Sequence, residues 1–143
     1  MESAAPVTGR QRAADGSAQG RDAGAMAHNI ELGRRGELVA AEHLEARGMR
    51  VVDRNWRCPH GEVDLVLRDG DCTVFVEVKT RTGPAFGHPF EAITAQKLAR
   101  LRRLALAWCE EHDHPTAQIR IDAVAVHAPA EAPAVVEHLE GIA

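Results

Sequence analysis

The chain has 143 residues, of which 45% are apolar and 27% are charged, and its formal net charge at pH 7 is −4. This length suits a single domain, and because no apolar run is long enough to cross a bilayer we expect no membrane span. The N-terminal region lacks the apolar segment of a secretory signal, and three cysteines without a CxxC pair favour the reducing cytoplasm over a disulfide-bonded secreted protein.

Charge is unevenly distributed along the sequence. Residues 31–109 contain thirteen Lys and Arg against eleven Asp and Glu, whereas residues 110–143 contain one arginine against seven acids. The first of these segments can face the phosphates of a nucleic acid while the acidic segment faces away. The negative net charge therefore does not exclude a nucleic-acid partner.

The N-terminal region is rich in Ala, Gly, Ser, Arg and Gln and has no apolar periodicity. Such a composition offers too little apolar surface to form a core. We therefore expect a disordered leader over residues 1–28 and a single domain over residues 29–143. Met1 and Met26 both stand as candidate start residues.

A first helix is predicted from the N-cap Asn29 to about Arg47, and Gly48 follows at the position where a left-handed residue ends many helices. Helical spacing places one acid, Glu37, on an otherwise apolar stripe. The other members of that stripe are Ile30, Gly33, Ala40, Ala41 and Leu44.

Three short strands are predicted next, over residues 50–56, 62–68 and 72–81. The last two are joined by Asp69-Gly70, a dipeptide that tolerates the positive φ angles of a tight hairpin turn. Side chains alternate along a strand, so the valines of the third strand share one face. Its other face carries Thr73, Phe75, Glu77, Lys79 and Arg81.

Residues 82–90 contain two glycines and two prolines, which predicts a loop. A second helix is expected from the N-cap Thr94 to about His112, followed by a strand over residues 118–127 and a weaker edge strand over residues 134–139. This order predicts an α/β domain with three antiparallel strands. A helical crossover then returns the fourth strand parallel to the third, in one mixed sheet flanked by helices.

Four charged side chains interrupt the apolar pattern of these elements, namely Glu37, Asp64, Glu77 and Lys79. Strand alternation places Glu77 and Lys79 on one face, and the hairpin brings Asp64 opposite residues 74–76, a short diagonal from Glu77. Gathering three carboxylates in an apolar setting is costly unless cations neutralise them, and one lysine cannot do so. A hard divalent ion such as Mg²⁺ can, because it prefers oxygen ligands.

The same residues carry a resemblance to a known pattern. The spacing Asp64–x12–Glu77–Val78–Lys79, with a glutamate on the preceding helix, resembles the PD-(D/E)XK nuclease superfamily. Over about residues 31–140 the chain also resembles the YraN family of small bacterial proteins, which are regarded as similar to archaeal Holliday-junction resolvases. The segments that carry this likeness are 33–37 (GRRGE), 61–66 (GEVDLV), 74–81 (VFVEVKTR) and 120–122 (RID).

The resemblance implies a restriction-endonuclease-like fold with an αβββαβ core. It also implies a metal-dependent endonuclease that hydrolyses phosphodiester bonds of nucleic acid, with DNA as the expected substrate. By position, Asp64, Glu77 and the backbone carbonyl of Val78 would bind Mg²⁺ or Mn²⁺. Glu37 would bind the ion directly or through water, and Lys79 would act on the attacking water.

Cationic and amide side chains near these positions are candidates for contacts with phosphates. Two of them lie early in the first helix, where cations oppose the helix dipole, which indicates another use. The set comprises Arg34, Arg35, Arg81, Gln96, Lys97, Arg100 and Arg103. Arg120 and Asp122 are interpreted as a structural pair on the fourth strand that can also border the site.

The main hypothesis is a cytoplasmic endonuclease that uses Mg²⁺ or Mn²⁺, with branched and single-stranded DNA among the candidate substrates. Its alternative is a nucleic-acid-binding module of the same fold that cuts nothing. A third hypothesis is a structural protein that docks a partner through its acidic C-terminal segment. RNA as the substrate and a homodimer both stay open, since branch-specific resolvases work as symmetric dimers but the sequence displays no clear dimer surface.

Overall fold

The computed structural model describes residues 16–83, 88–115 and 117–143. Its elements are α1 (Gly16–Ala46), β1 (Arg50–Cys58), β2 (Gly61–Asp69), β3 (Cys72–Arg81), a short 3-10 helix (Pro89–Ala92), α2 (Ala95–Glu111), β4 (Ile119–His127) and β5 (Val135–Leu139). The sheet, α2 and the part of α1 from Gly33 onward belong to one compact unit. No helix within the described ranges is apolar over a length sufficient to cross a bilayer.

The start of the first helix was predicted wrongly, because α1 begins at Gly16 and not at Asn29. The residues between them include several good helix formers, and extending a helix that has already formed requires no new nucleation. Residues 16–28 of the expected leader are therefore helical. Residues 1–15 lie outside the described part of the chain.

The other predicted helix and strand boundaries are confirmed to within two residues. The N-cap of α2 is Thr94, whose hydroxyl oxygen accepts the backbone N–H of Lys97 at 3.2 Å. The loop expected over residues 82–90 is only partly irregular, because Pro89 already begins the 3-10 helix. Residues 84–87 of that loop lie outside the described residues.

The five strands form one sheet in the order β1-β2-β3-β4-β5. Neighbouring strands are antiparallel except β3 and β4, which run parallel, with α2 as the connection between them. The predicted meander, the parallel fourth strand and the edge position of β5 are confirmed. The molecule thus has the α/β architecture expected of a restriction-endonuclease-like fold, an αβββαβ core in which helices flank a mixed sheet, extended by β5.

Each face of the sheet has its own apolar cluster. The cluster on the α1 face includes Ala40, Ala41, Leu44, Leu65, Leu67, Val74 and Val76. The cluster on the α2 face includes Trp56, Val66, Phe75, Leu101, Leu104 and Trp108. The predicted alternation along β3 is confirmed, since its valines contact one cluster and Phe75 contacts the other. Ile30, which spacing placed on the apolar stripe of α1, is 52% exposed.

Helix α1 passes close to β3 at Gly36. This glycine is buried, and a Cβ atom added to it would overlap the side chain of Thr80. The missing side chain therefore allows the helix to lie against the strand at this point. Because Glu37 is the next residue, this close approach sets where its carboxylate meets the sheet.

We expect Gly36→Ala to lower the free energy of unfolding by about 1–3 kcal/mol, the usual cost of overpacking a well-packed contact. The loss should occur although alanine favours a helix over glycine by about 1 kcal/mol. Gly33→Ala is the matched control on the same helix, because nothing lies within 4 Å of its added Cβ. Urea denaturation of both variants measures the difference. A Gly36→Ala chain as stable as its control contradicts the close approach.

The ladder between β2 and β3 stops partway along both strands. Paired residues run from Asp69 with Cys72 to Leu65 with Val76. Beyond that point β2 continues to pair with β1, and β3 continues to pair with β4, but the two strands no longer pair with each other. We call this opening, between residues 61–64 of β2 and 77–81 of β3, the β2–β3 split.

A buried ionic cluster lies on β4. Asp122 is fully buried, and its two oxygens accept hydrogen bonds from Arg120 at 2.9 and 3.0 Å and from the backbone N–H of Gly141 at 2.9 Å. His138 Nε2 lies 2.7 Å from the same carboxylate. The expected structural pair of Arg120 and Asp122 is therefore confirmed, and it also holds the C-terminal segment against the sheet.

This cluster does not border the β2–β3 split. Asp122 is opposite Val76 in the β3–β4 register, and Val76 packs in the α1 cluster. Glu77 follows Val76 on β3 and so faces the other side of the sheet. The interpretation that Arg120 and Asp122 can border the site is therefore wrong, because strand alternation separates them from it by the thickness of the sheet.

Candidate active site

Asp64 and Glu77 flank the mouth of the β2–β3 split. The last ladder pair is Leu65 with Val76, so the next position along each strand sets Asp64 opposite Glu77. The two carboxylates therefore share a face and lie at opposed positions across the opening, rather than on the diagonal that the sequence indicated. The expected register was wrong because Asp69 pairs with Cys72, so the turn residues are Gly70 and Asp71. Asp64 Oδ2 accepts the backbone N–H of Val78 at 2.8 Å. A side chain thus satisfies an amide that the separated strands leave without a backbone partner.

The carboxyl group of Asp64 is strongly perturbed. Burial raises its pKa from the ordinary 3.8 to about 7, the hydrogen bond from Val78 opposes that change, and the negative charges of Glu77, Glu37 and Glu62 add to it. Ionising Asp64 beside these acids is costly unless a cation is present. Carboxylates perturbed in this way are concentrated at functional sites.

Lys79 lies on the same face as Glu77, with its Nζ atom 3.4 Å from Glu77 Oε2. Burial lowers the pKa of Lys79, but the contact with Glu77 and the negative charges of Glu77 and Asp64 outweigh it and raise the pKa above its ordinary value. Lys79 therefore stays a cation at neutral pH. It is suited to donating hydrogen bonds and stabilising negative charge, not to accepting a proton.

Lys97 approaches the site from the first turn of α2. Its pKa is lowered, first by contact with the Lys79 ammonium and then by burial, and the positive charge of Arg100 contributes. Lys97, one of the residues proposed to contact phosphate, therefore lies beside Lys79 and Glu77. Two cations at this edge of the split give it a positive side next to the carboxylates.

Glu37 reaches the same region from α1. Its Oε1 atom accepts a hydrogen bond from Asn55 Nδ2 at 2.8 Å. Both residues line a cleft of about 210 Å³ between α1 and β1, together with Arg34 and Arg54. Glu37 is near enough to Asp64 for its charge to raise the pKa of Asp64. The cleft and the split are therefore electrostatically linked.

The remaining candidates for phosphate contact lie farther out. Arg35, Gln96 and Arg103 are exposed, and Arg81 is half-buried at the end of β3. In the described ranges no hydrogen bond or ion pair joins these four to the carboxylates at the split. Their involvement in binding stays a prediction.

The donors at the split fit a hard divalent ion through two carboxylates. Across the described residues, no three His, Cys, Asp or Glu side chains are grouped to hold a metal ion. Mg²⁺ commonly binds one or two carboxylates and keeps water or substrate phosphate as its other ligands. Asp64 and Glu77 satisfy that need. Glu37 is engaged by Asn55, and direct binding of an ion by Glu37 would compete with that hydrogen bond.

Asn55 is the site residue that the sequence reasoning missed. It lies in β1 with a φ of 49°, in the left-handed region, and its register position is opposite Asp64. Asparagine is enriched several-fold in this conformation, so a polar Asn inside a predicted strand is the signal that could have drawn attention to it. Its partner Glu37 lies 18 positions away on α1, which no strand pattern reveals.

Comparison with known proteins places the chain in a family. The model of "Uncharacterised protein family UPF0102" matches residues 36–126. A UPF0102 protein of Beutenbergia cavernae is 60% identical over 111 residues, 78% of this chain and 94% of that protein. One of Arthrobacter sp. (strain FB24) is 56% identical, with the same coverage of both chains.

A similar solved structure is that of Pyrococcus furiosus SfsA in complex with Ca²⁺. It covers 78% of this chain and 63% of that chain, with 15% identity and a TM-score of 0.35, too low to carry an argument. The residues matched by the family model include Glu37, Asp64, Glu77 and Lys79. On the strength of that match and of relatives that align over nearly their whole length, the chain belongs to the uncharacterised protein family UPF0102.

Proposed function

We propose that this chain is an endonuclease that uses Mg²⁺ or Mn²⁺ to hydrolyse phosphodiester bonds, with DNA as its substrate. The observation that supports this most is the meeting of Asp64, Glu77 and Lys79 at the β2–β3 split. There, a half-buried carboxyl group with a pKa of about 7 lies beside a second acid and a lysine ammonium. This combination suits a site that binds a cation and a phosphate together.

Each residue has a role in this proposal. Asp64, Glu77 and the backbone carbonyl of Val78 hold the ion, which when bound supplies Lewis acidity toward a phosphoryl oxygen and makes water a better nucleophile. Lys79 stays protonated beside its carboxylate neighbours, so it orients the attacking water or stabilises charge developing on the phosphate. Lys97 binds a neighbouring phosphate from the α2 side of the split.

Substrate and setting follow from the same proposal. Branched and single-stranded DNA are the first substrates to test, and a symmetric homodimer is the expected form if a branch is cut on two strands. The free thiols of Cys58, Cys72 and Cys109 agree with a reducing cytoplasm as the proposed location.

The direct test is a cleavage assay with supercoiled, branched and single-stranded DNA in Mg²⁺ or Mn²⁺. We expect the chain to cut at least one of them, EDTA to stop the reaction, and Glu77→Gln to lower the rate by about a hundredfold or more. Glu42→Gln, which removes an exposed acid of α1, is the matched control and should leave the rate unchanged. Inactivity on all substrates, or an unaffected Glu77→Gln, contradicts the proposal.

A second candidate is a module that binds nucleic acid but cuts nothing. It is favoured by the fact that the described residues contain no ready group of three metal-binding side chains. Both candidates predict binding that weakens with salt, because both contact phosphates. Calorimetry with Mn²⁺ separates them: the endonuclease has a divalent site that Glu77→Gln removes, and the binding module has none.

A further inference from the structure

Asn55 has a conformation that its own strand does not explain. Among the described residues, two that are not glycine have positive φ, Asn55 and Asp113. Asp113 directly follows the C-cap of α2, where such angles are common. Asn55 instead lies inside β1, where the backbone normally stays extended. Strained positions of this kind persist when the surrounding structure uses them, and they concentrate at functional sites.

The β1–β2 ladder is irregular shortly before Asn55. The β1–β2 register shifts by one residue between Val51 and Asp53, as at a β-bulge, and pairing resumes at Asp53 with Val66, two residues before Asn55. Bulges redirect side chains and are common beside active sites. The Asn55 amide donates a hydrogen bond to Glu37 on α1, with Nδ2 and Oε1 2.8 Å apart.

The chemistry of asparagine suits this position better than the alternatives. Its amide donates a hydrogen bond to Glu37 without adding charge. An aspartate would add another negative charge beside Glu37 and Asp64, and a basic residue would weaken the attraction of the site for a divalent ion. Glycine would relieve the backbone and lose the donor. An asparagine therefore fixes a carboxylate and leaves the negative character of the site intact.

We propose that Asn55 is a positioning residue of the candidate active site, which holds Glu37 so that this carboxylate contacts the ion through water while Asp64 and Glu77 bind it directly. This inference rests on the proposed endonuclease function. It follows from the hydrogen bond between Asn55 and Glu37 together with the absence, among the described residues, of any third acid grouped with Asp64 and Glu77. Groups of this kind orient the ligands and waters of a metal ion.

The closing experiment is a double-mutant cycle read by Mn²⁺ calorimetry and by cleavage kinetics. Asn55→Gly permits the positive φ and removes the amide, and Glu37→Gln keeps an oxygen that accepts from Asn55 while removing the charge. We expect each variant to weaken Mn²⁺ binding about tenfold, which is the smallest loss usual when a residue that orients a metal's ligands is replaced. The double variant should be no worse than Glu37→Gln alone, because Asn55 acts through Glu37. The value of kcat should fall while KM for DNA stays unchanged.

Controls separate this inference from the function on which it rests. Asp64→Asn should lose at least a further tenfold in Mn²⁺ affinity compared with Glu37→Gln, and Arg57→Ala, an exposed change on β1, should alter neither measurement. Without metal, Asn55→Gly should unfold at the same temperature as the parent chain or higher.

If the parent chain binds no Mn²⁺, the proposed function fails and this inference fails with it. If the parent binds Mn²⁺, three results overturn only the role of Asn55. The losses of Mn²⁺ affinity in Asn55→Gly and Glu37→Gln are additive in the double variant, Asn55→Gly binds Mn²⁺ like the parent, or Glu37→Gln loses as much affinity as Asp64→Asn.

Discussion

Asp64→Asn is expected to abolish Mn²⁺ binding and cleavage and at the same time to raise the free energy of unfolding of the metal-free chain at pH 8 by up to about 4 kcal/mol. The pKa of Asp64 is raised from 3.8 to about 7, first by burial and then by neighbouring acids. Folding therefore has to place a negative charge where the structure disfavours it. An asparagine carries no charge and can still accept the N–H of Val78.

The sign of this effect depends on pH. A carboxyl group with a raised pKa stabilises the folded chain below the unfolded pKa of about 4, and that contribution is lost as the pH rises to about 7. The gain from Asp64→Asn should thus be absent near pH 4 and complete near pH 8. Urea denaturation at both values, in EDTA, measures it. Asp71→Asn, an exposed acid in the hairpin turn, is the control. If Asp64→Asn is less stable than the parent at pH 8, the raised pKa of Asp64 is contradicted.

The same group couples the proposed metal binding to protons. Asp64 has to lose its proton before it can bind the ion. The affinity for Mn²⁺ should therefore increase with pH up to about 7 and increase more slowly above that value. Stability and function thus oppose one another at this position. The acid that is unfavourable in the metal-free chain is the one that the proposed chemistry requires, a common compromise at active sites.

The second large effect concerns the ionic cluster on β4. Asp122→Ala should lower the free energy of unfolding by about 3–5 kcal/mol, because it removes the acceptor of two Arg120 hydrogen bonds and of the Gly141 N–H, and leaves Arg120 only its contacts with Asp69 and Glu140. Arg47→Ala breaks an exposed ion pair with Glu140 in which both side chains are about half exposed, and it should cost less than about 1 kcal/mol.

This cluster also predicts a response to acid that is opposite in direction to that of Asp64. Burial raises the pKa of Asp122, but hydrogen bonds from Arg120, from the Gly141 N–H and from His138 outweigh burial and lower the pKa below its ordinary value. The resulting stability is present above the unfolded pKa and is lost as the pH falls through the folded one. Asp122→Asn keeps an acceptor oxygen without the charge. In acid denaturation its free energy of unfolding should therefore start lower than that of the parent chain and fall less between pH 5 and pH 2. An acid response equal to that of the parent chain contradicts this account.

The fold was largely predictable because its signals are local. Strand alternation put Glu77 and Lys79 on one face, the glycine between β2 and β3 marked the hairpin, and Thr94 marked the start of α2. The β2–β3 register was predicted wrongly, because Asp69 still pairs with Cys72 and the turn residues are Gly70 and Asp71. Each signal depends on stereochemistry within a few residues, which is written directly in the sequence. The start of α1 was missed because helix extension depends on weak propensities with no sharp marker.

By itself, the sequence determined which residues carry charge inside apolar elements and which strand faces hold them. Only the tertiary structure decided that β2 and β3 separate just where Asp64 meets Glu77, that Asn55 holds Glu37, and that Arg120 and Asp122 lie on the other face. The reason is physical: desolvation and hydrogen bonding between distant segments depend on packing, and packing is a property of the whole fold rather than of any local pattern.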